Sequence, residues 1–578
     1  MKQILNPTLN DLKMECVLVQ AWKKTSKYIR QHSWYADTLE LDYQSLRLPE
    51  FIQEIRTRLE NTSEWKPTPL RVVPAPKSQK WSMKNGNWTP DESLNSKIRP
   101  LAHVALIDQV IGTGIMLCLA DYIETIQGDT TLSITKAENR LKVISYGNRL
   151  FCDSKQKKLY HRWGSSKLYR QYYTDYQTFL SRPNIVVEEL KKNKSTSVEI
   201  AIVQSDLSKF FDRVRPKMLI EKIRQHFTFI KEDCWFDFLE KFFNWEWHDK
   251  DWIKKYSAVN KIDGFDRVAL PQGLVASGFF ANLVLLDFDQ ALRGYIGKEI
   301  SCDSDIVLQD VCRYVDDLRF VFTIPNNSEE VQIQSTVVLW LTELLDIYAK
   351  GLIVEESKTQ VTVENREQRF LVPQSKAAAR IQHDGSGAFD MLHGTELIGA
   401  IEGFFHTQRR YSQEEKKNSK QLGILNGMSD MRDDTATRFA AGRFRRVFRS
   451  LRPLLDAEND PSLNSTDADD EREDFYELPK LVLSKQQLDD RARLFALMLI
   501  EEWIANPSNV RLLRIALDLY PDYKILDKIL MVLKDGWNGG CNGERKEVRQ
   551  YCLAEIFRAG ATETGIVADN DSRRSKYI

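Results

Sequence analysis

The sequence predicts an α+β fold followed by an all-helical C-terminal part, and three observations carry this expectation. Apolar residues recur at spacings of three and four between residues 10 and 60, as in amphipathic helices. Short runs dominated by β-branched and aromatic residues occur at 198–205, 312–322 and 351–361, as in strands. From about residue 374, helices joined by polar loops take over. At 578 residues and 42% hydrophobic composition, the chain is long enough for about two to four domains. We expect a first domain over 1–373 and a helical-repeat-like domain over 374–578, the latter interrupted by an acidic, turn-rich loop at about 456–477.

Composition narrows the function classes. Lys+Arg and Asp+Glu balance at 82 each, so net charge gives no support for nucleic-acid binding and local clusters must carry that argument. The eight cysteines are scattered with no Cys-x-x-Cys, which indicates neither a disulfide framework nor a structural zinc and fits a reducing cytoplasm. The N-terminus lacks the apolar core of a signal peptide. The longest apolar stretch, about 273–286, contains Asn282 and is too short to span a bilayer, so a soluble protein without a membrane partner is expected.

Two helices are expected in the first sixty residues. Leu12, Cys16, Val19 and Trp22 mark one; Leu48, Phe51, Ile52, Ile55 and Leu59 mark the other, with Pro49 suited to its first turn. Leu70–Lys77, broken by prolines, is extended. Lys97-Ile98-Arg99-Pro100-Leu101 is extended again, and its alternation puts Lys97 and Arg99 on one face, as suits a polyphosphate. Residues 145–176 are basic and aromatic: Arg149, Lys155, Lys157, Lys158, Arg162, Lys167 and Arg170 alternate with Tyr160, Trp163, Tyr169, Tyr172, Tyr173 and Tyr176. That mixture suits single-stranded nucleic acid, and equally a helix pair with buried rings and solvated lysines.

Val198–Ser205 is a strand that delivers Asp206 at its C-terminal end, and Pro216 is placed to start a helix. An aromatic helical insert at 235–252 precedes Leu270-Pro271-Gln272-Gly273, a tight turn running through small residues into an apolar helix. Such a turn lets backbone approach a flat substrate closely. In Cys312–Phe322 two short strands meet at Asp316-Asp317. Alone, this acidic turn suits a solvated hairpin tip; it also suits a divalent cation, because hard cations take carboxylate oxygens. A helix at about 330–350 leads to a strand-turn-strand segment, 351–361, that carries Lys358. Further on, Leu512, Ile515 and Leu519, then Ile525, Ile529, Val532 and Leu533, mark two helices separated by Pro521, the unit of a helical repeat. Arg438–Arg452 reads as a basic amphipathic helix with Arg445, Arg449 and Arg452 on one face, suited to nucleic acid or to an acidic neighbour.

If their strands are neighbours, Asp206, Asp316 and Asp317 converge and can hold two magnesium ions for in-line displacement at a phosphate. Lys97 and Arg99 would then donate to a triphosphate. The ordered set Lys97-Ile98-Arg99-Pro100, Asp206 to Asp212 with Phe-Phe-Asp, Leu270-Pro271-Gln272-Gly273, Tyr314-Val315-Asp316-Asp317 and Ser357-Lys358-Thr359 resembles the fingers and palm of a reverse transcriptase. The resemblance covers about residues 15–370 and implies a right-hand polymerase fold. It implies that Asp206, Asp316, Asp317 and the Leu207 carbonyl ligate two Mg2+ ions, with Mn2+ as a substitute. By the same resemblance Phe211 is the gate under the sugar that favours deoxynucleotides, Gln272 and Gly273 contact template and incoming nucleotide, and Lys358 lies near the triphosphate.

The chain also departs from the pattern. Leu274–Gly278 replaces a Ser-Pro-rich continuation, the glycine-rich start of the fingers motif is missing, and Phe370-Leu371-Val372 stands for a Phe-Leu-Gly grip. With a helical array in the thumb's place and Ser145-Tyr146-Gly147-Asn148-Arg149 ahead of the catalytic strand, the chain is similar to the abortive-infection and unknown-group reverse transcriptases of bacterial antiphage defence. That likeness implies a DNA polymerase that takes dNTPs, primes from a protein hydroxyl, needs little or no template, makes single-stranded DNA and forms homo-oligomers. Two alternatives stay open: an enzyme that copies a companion noncoding RNA, as in retrons and introns, and a non-catalytic nucleic-acid sensor.

Overall fold

The computed structural model describes residues 5–32, 38–76, 81–84, 87–90, 98–170, 172–192, 198–230, 233–301, 305–363, 440–445, 447–449, 451–452, 484–505, 507, 509–519, 523–535 and 549–556. Lys97, Phe370–Val372, the expected boundary at 373/374 and the acidic loop at 456–477 lie outside the described residues. The chain divides into two compact units, Met1–Val73 with Pro100–Gln368, and Pro74–Arg99 with Arg369–Ile578. Each has its own core, the first built between Leu5 and Val363 and the second between Ala440 and Cys552.

In the first unit, among the described residues up to Glu60, four helices stand where two were expected: the first stripe is divided between α1 (Leu9–Leu12) and α2 (Glu15–His32), α3 (Thr38–Leu46) is additional, and α4 (Leu48–Glu60) follows the second stripe with Pro49 in its first turn. Strand β1 (Arg71–Pro76) pairs with β4 (Ile98–His103); the chain connecting them carries β2 (Trp81–Lys84) and β3 (Asn87–Pro90), a hairpin that belongs to the second unit. Helix α5 (Leu106–Gln127) runs through the core. It is long and apolar enough to cross a membrane, with mean hydropathy 1.5, yet 89% of that window is buried in protein. A helix apolar all round is a core helix in such surroundings. It stops at Gly128, whose φ of +83° and 2.3 Å approach to the Lys142 carbonyl oxygen at the Cβ position leave room for glycine alone.

Within residues 145–176, for which a helix pair was one of two open readings, residues 152–161 form a hairpin. After α6 (Ala137–Arg140), β5 (Cys152–Lys155) and β6 (Lys158–His161) pair through Gln156 and Lys157, both left-handed at φ +51° and +63°. Two consecutive left-handed residues make the two-residue turn whose twist matches that of the flanking strands, here without the Asn or Gly that usually signals it. Lys155, Lys157 and Lys158 are exposed, while Arg149 is buried against Glu124 at 2.9 Å and Arg170 meets Asp175 at 2.9 Å. Helix α7 (Tyr172–Lys192) follows, and Arg182 on it forms a two-bonded pair with Asp310, each bond 2.7 Å.

The functional half is a four-stranded antiparallel sheet, order β10-β11-β7-β12, formed by β7 (Val198–Asp206), β10 (Val307–Tyr314), β11 (Asp317–Pro325) and β12 (Gln360–Val363). Helices α8 (Phe210–Arg213), α9 (Pro216–His226), α10 (Asp233–Phe242) and α11 (Lys250–Asn260), with the short strands β8 (Trp245–Glu246) and β9 (Arg267–Val268), lie between β7 and the Pro-Gln-Gly turn. Helices α12 (Ser277–Val284) and α13 (Leu286–Tyr295) lead into β10, and α14 (Glu330–Tyr348) follows β11. Successive residues point to opposite faces, yet Ile200 to Val203 and Leu318 to Phe322, Arg319 among them, are all buried, so the sheet is covered on both faces.

In the second unit the described residues beyond 439 are helical for the most part, with helices Lys485–Ala505, Arg511–Leu519 and Tyr523–Asp535, the last two matching the stripes expected on either side of Pro521. The basic helix finds its acidic neighbour inside the chain. Asp518, wholly buried, takes Arg445 at 3.0 Å and Arg449 as well, while Arg452 lies 3.8 Å from Asp489. Phe444 stacks on Phe495 with ring centres 4.0 Å apart, which anchors the other face.

Candidate polymerase active site

Asp206 ends β7 and Asp317 begins β11, and the antiparallel register makes them partners across the two strands. Across the neighbouring pair Asp317 faces Tyr314, so the β10–β11 hairpin turns through Val315 and Asp316. The Leu207 amide donates to the Asp316 carbonyl oxygen at 3.1 Å, tying the turn to the end of β7. All three aspartates thus come from one end of one sheet, Asp317 exposed and Asp316 half-buried. Leu207 itself is buried.

The other end of this cradle is the loop before β12. The Glu355 amide donates to the Asp206 carbonyl oxygen at 2.7 Å and the Ser208 amide to that of Ile353 at 2.8 Å. This pairing brings Lys358 to the Asp206 carboxylate, with which it forms an ion pair. Lys358, expected beside a triphosphate, therefore sits on a carboxylate of the site itself.

Three carboxylates with hard oxygen donors are of the kind that magnesium takes, and in that sense the residues fit the implied ions. They do not form a closed cage: among the described residues no group of three His, Cys, Asp or Glu side chains is arranged to hold an ion, and one Asp206 oxygen is engaged by Lys358.

Phe211 lies on α8, half-buried, with Phe210 beneath it edge-to-face at 5.3 Å. The short helix starts from Lys209, left-handed at φ +50°. Asp212 closes it and is buried. Its carboxylate accepts from the Tyr256 hydroxyl at 2.8 Å and from the Gln272 side-chain amide at 2.8 Å. Burial raises its pKa, while these two donors pull it down, and the net direction is upward. Gln272 is also held at its backbone, where its carbonyl oxygen accepts from the Ala102 amide at 3.0 Å. The Gly273 carbonyl oxygen accepts from the Gln109 side chain at 2.7 Å, and Gln109 in turn accepts from the Val275 amide at 2.8 Å.

The structure therefore brings Asp206, Leu207, Asp316, Asp317 and Lys358 together, and joins Phe211 to Gln272 and Gly273 through Asp212. Arg99 is exposed on β4. Asp212, Tyr256 and Gln109 went unnoticed as site residues. The signal for Gln109 is a polar residue beside Asp108 in the first turn of a mainly apolar helix. Asp212 stood in plain view in Phe-Phe-Asp, but its partners lie 44 and 60 residues away.

A family profile described as "Reverse transcriptase (RNA-dependent DNA polymerase)" matches residues 157–374. Among curated proteins no sequence matches this chain. Solved structures similar to it include apo telomerase from Candida tropicalis, at 12% identity over 66% of this chain and 56% of that one, TM-score 0.25. Telomerase from Candida albicans with a TWJ fragment of telomeric RNA is 12% identical over 85% of this chain and 65% of that one, TM-score 0.28. The chain thus spans 56% to 65% of the length of these structures. The matched domain is that of an RNA-directed DNA polymerase, and it contains every site residue expected from the sequence except Lys97 and Arg99.

Proposed function

We propose, from the reverse transcriptase domain that residues 157–374 form, that this chain is a DNA polymerase of antiphage defence that adds dNTPs, primes from a protein hydroxyl and needs no template instruction. The observation that carries the polymerase reading is the cross-strand pairing of Asp206 with Asp317 beside Asp316. In it Asp206, Asp316, Asp317 and the Leu207 carbonyl hold Mg2+ or Mn2+. When bound, two such ions supply activation of the attacking hydroxyl and charge neutralisation at the phosphate. Lys358, released from Asp206, supplies a donor to the triphosphate, as do Lys97 and Arg99. The Phe211 ring leaves a 2′-hydroxyl neither space nor partner. Gln272, oriented by Asp212, and Gly273 meet the template and the incoming nucleotide.

The defence role, protein priming and homo-oligomers are supported by the sequence resemblance, the helical-repeat character of the second unit by the two apolar stripes around Pro521, and a cytoplasmic setting by the scattered cysteines. Purified chain given Mg2+ and dNTPs should form DNA that migrates with the protein until protease is added. No incorporation under any primer or RNA condition, together with an Asp316→Ala variant that behaves as wild type, defeats the reading. The RNA-dependent description of the matched family favours a second reading, copying of a companion noncoding RNA. Product sequences complementary to a co-purified RNA would select it.

A further inference from the structure

We infer that Arg313 is a positioning residue that holds the catalytic turn in an otherwise disfavoured left-handed conformation, and so sets the place of Asp316. Val315, between Tyr314 and Asp316, has φ +58°. A β-branched side chain is rarely found there, so the turn persists only because its surroundings hold it. Those surroundings are visible. The buried Arg313 guanidinium donates from Nε and Nη2 to the two oxygens of Asp289, at 2.7 and 2.6 Å, which fixes its plane. With the plane fixed, Nη1 donates to the Val315 carbonyl oxygen at 2.7 Å and to Asn282 Oδ1 at 3.2 Å.

The same network closes on the turn from its other side. Asn282 donates to the Gly147 carbonyl oxygen at 2.7 Å and accepts from the Ser145 hydroxyl at 3.0 Å. A Cβ on Gly147 would lie 2.6 Å from both the Val315 amide nitrogen and Cγ2, so the residue 147 backbone presses directly against the turn. The segment is also laced to β10, through the Arg313 amide to Ile144 at 2.8 Å and the Tyr146 amide to Arg313 at 2.9 Å. Val315 is thereby held at its carbonyl by Arg313 and along its side by Gly147.

A buried ion pair is often replaceable by apolar residues without loss of stability. Here its geometry does something an apolar pair cannot: it directs a charged donor at one carbonyl in the turn. The consequence falls on Asp316, the next residue, whose own carbonyl oxygen takes the Leu207 amide at 3.1 Å.

The inference rests on the proposed reading of Asp316 as a catalytic carboxylate, and its test separates the two. Arg313→Lys keeps a cation for Asp289 but loses the fork that also reaches Val315. In the full chain, dNTP incorporation should fall about 30-fold in kcat, the order expected for a misplaced catalytic group, and half-saturation should need more Mg2+. Independently of activity, hydrogen exchange of the peptide spanning 312–318 should speed up. Val315→Gly removes the left-handed penalty, so adding Arg313→Lys to that background should cost less than about threefold and leave exchange slow. Wild-type activity and exchange in Arg313→Lys, or equal losses in the wild-type and Val315→Gly backgrounds, would overturn the inference. If Arg313→Lys does not fold, Asp289→Asn carries the same comparison. An active Asp316→Ala variant would defeat the site reading alone, since the exchange comparison still reports the hold on the turn.

Discussion

The carboxylate of Asp212 accepts a 2.8 Å hydrogen bond from the side-chain amide of Gln272, joining the Phe-Phe-Asp helix to the Pro-Gln-Gly turn. This bond fixes which end of the Gln272 amide faces outward, because the nitrogen is the end that Asp212 takes. Asp212→Ala leaves both the Gln272 amide and the Tyr256 hydroxyl without their acceptor. We expect kcat/KM for dNTPs to fall roughly tenfold or more, with the larger share in KM, as measured by single-nucleotide addition. An unchanged KM would show that Gln272 is oriented by its backbone alone.

Phe211 predicts sugar selectivity. Shortening it to Ala opens the space beneath the sugar, so ribonucleotide incorporation relative to deoxynucleotide should rise at least about tenfold. Competition between labelled rNTP and dNTP on the same preparation checks this, and a constant ratio would remove Phe211 from the gate.

Gly147→Ala places a methyl group where 2.6 Å separates it from the Val315 backbone. The neighbour is a held turn and not a flexible side-chain end, so overpacking should cost about 1–3 kcal/mol and activity together. Thermal melting and incorporation assays should both fall.

Asp108, buried in the first turn of α5, is pushed up by burial from 3.8 to about 6, even though it accepts the Thr68 amide at 3.0 Å. The folded state therefore keeps its proton longer than the unfolded chain, and stability should decline as pH rises from about 4 to 6, by about 3 kcal/mol in all. Asp108→Asn should flatten that slope, measured as denaturation midpoint against pH. A slope that persists assigns it to another group.

Asp518 has no exposed side-chain surface and takes both Arg445 and Arg449. Asp518→Ala removes the buried acceptor that two guanidinium groups share and should cost about 3 kcal/mol in the second unit, read by hydrogen exchange across 511–519. Arg449→Ala, whose side chain is 40% exposed, should cost no more than about 1 kcal/mol.

Local order was legible where one segment carries its own signal. The stripes of α2, α4 and α14, the prolines at 49 and 216, and the strands around Asp206 and Asp316 all follow from periodicity and turn chemistry. The hairpin at 152–161 was missed because its two left-handed turn residues are Gln156 and Lys157, neither a usual turn former. Basic residues were also misjudged as a group. Arg149 and Arg170 answer buried acids, and nothing in their immediate neighbours along the chain separates them from the exposed Lys155, Lys157 and Lys158.

The sequence by itself determined that Asp206 ends one strand and that Asp316 and Asp317 stand at the turn between two others, since that depends on residue type and spacing alone. Only the tertiary structure decided which groups hold them. Asp206 meets Asp317 through register, Lys358 reaches Asp206 through the β12 loop, and Arg313 fixes Val315 with a carboxylate 24 residues away. Side-chain partnerships between distant segments are set by how strands pair and helices pack, and that information is spread over the whole chain instead of being written beside any one residue.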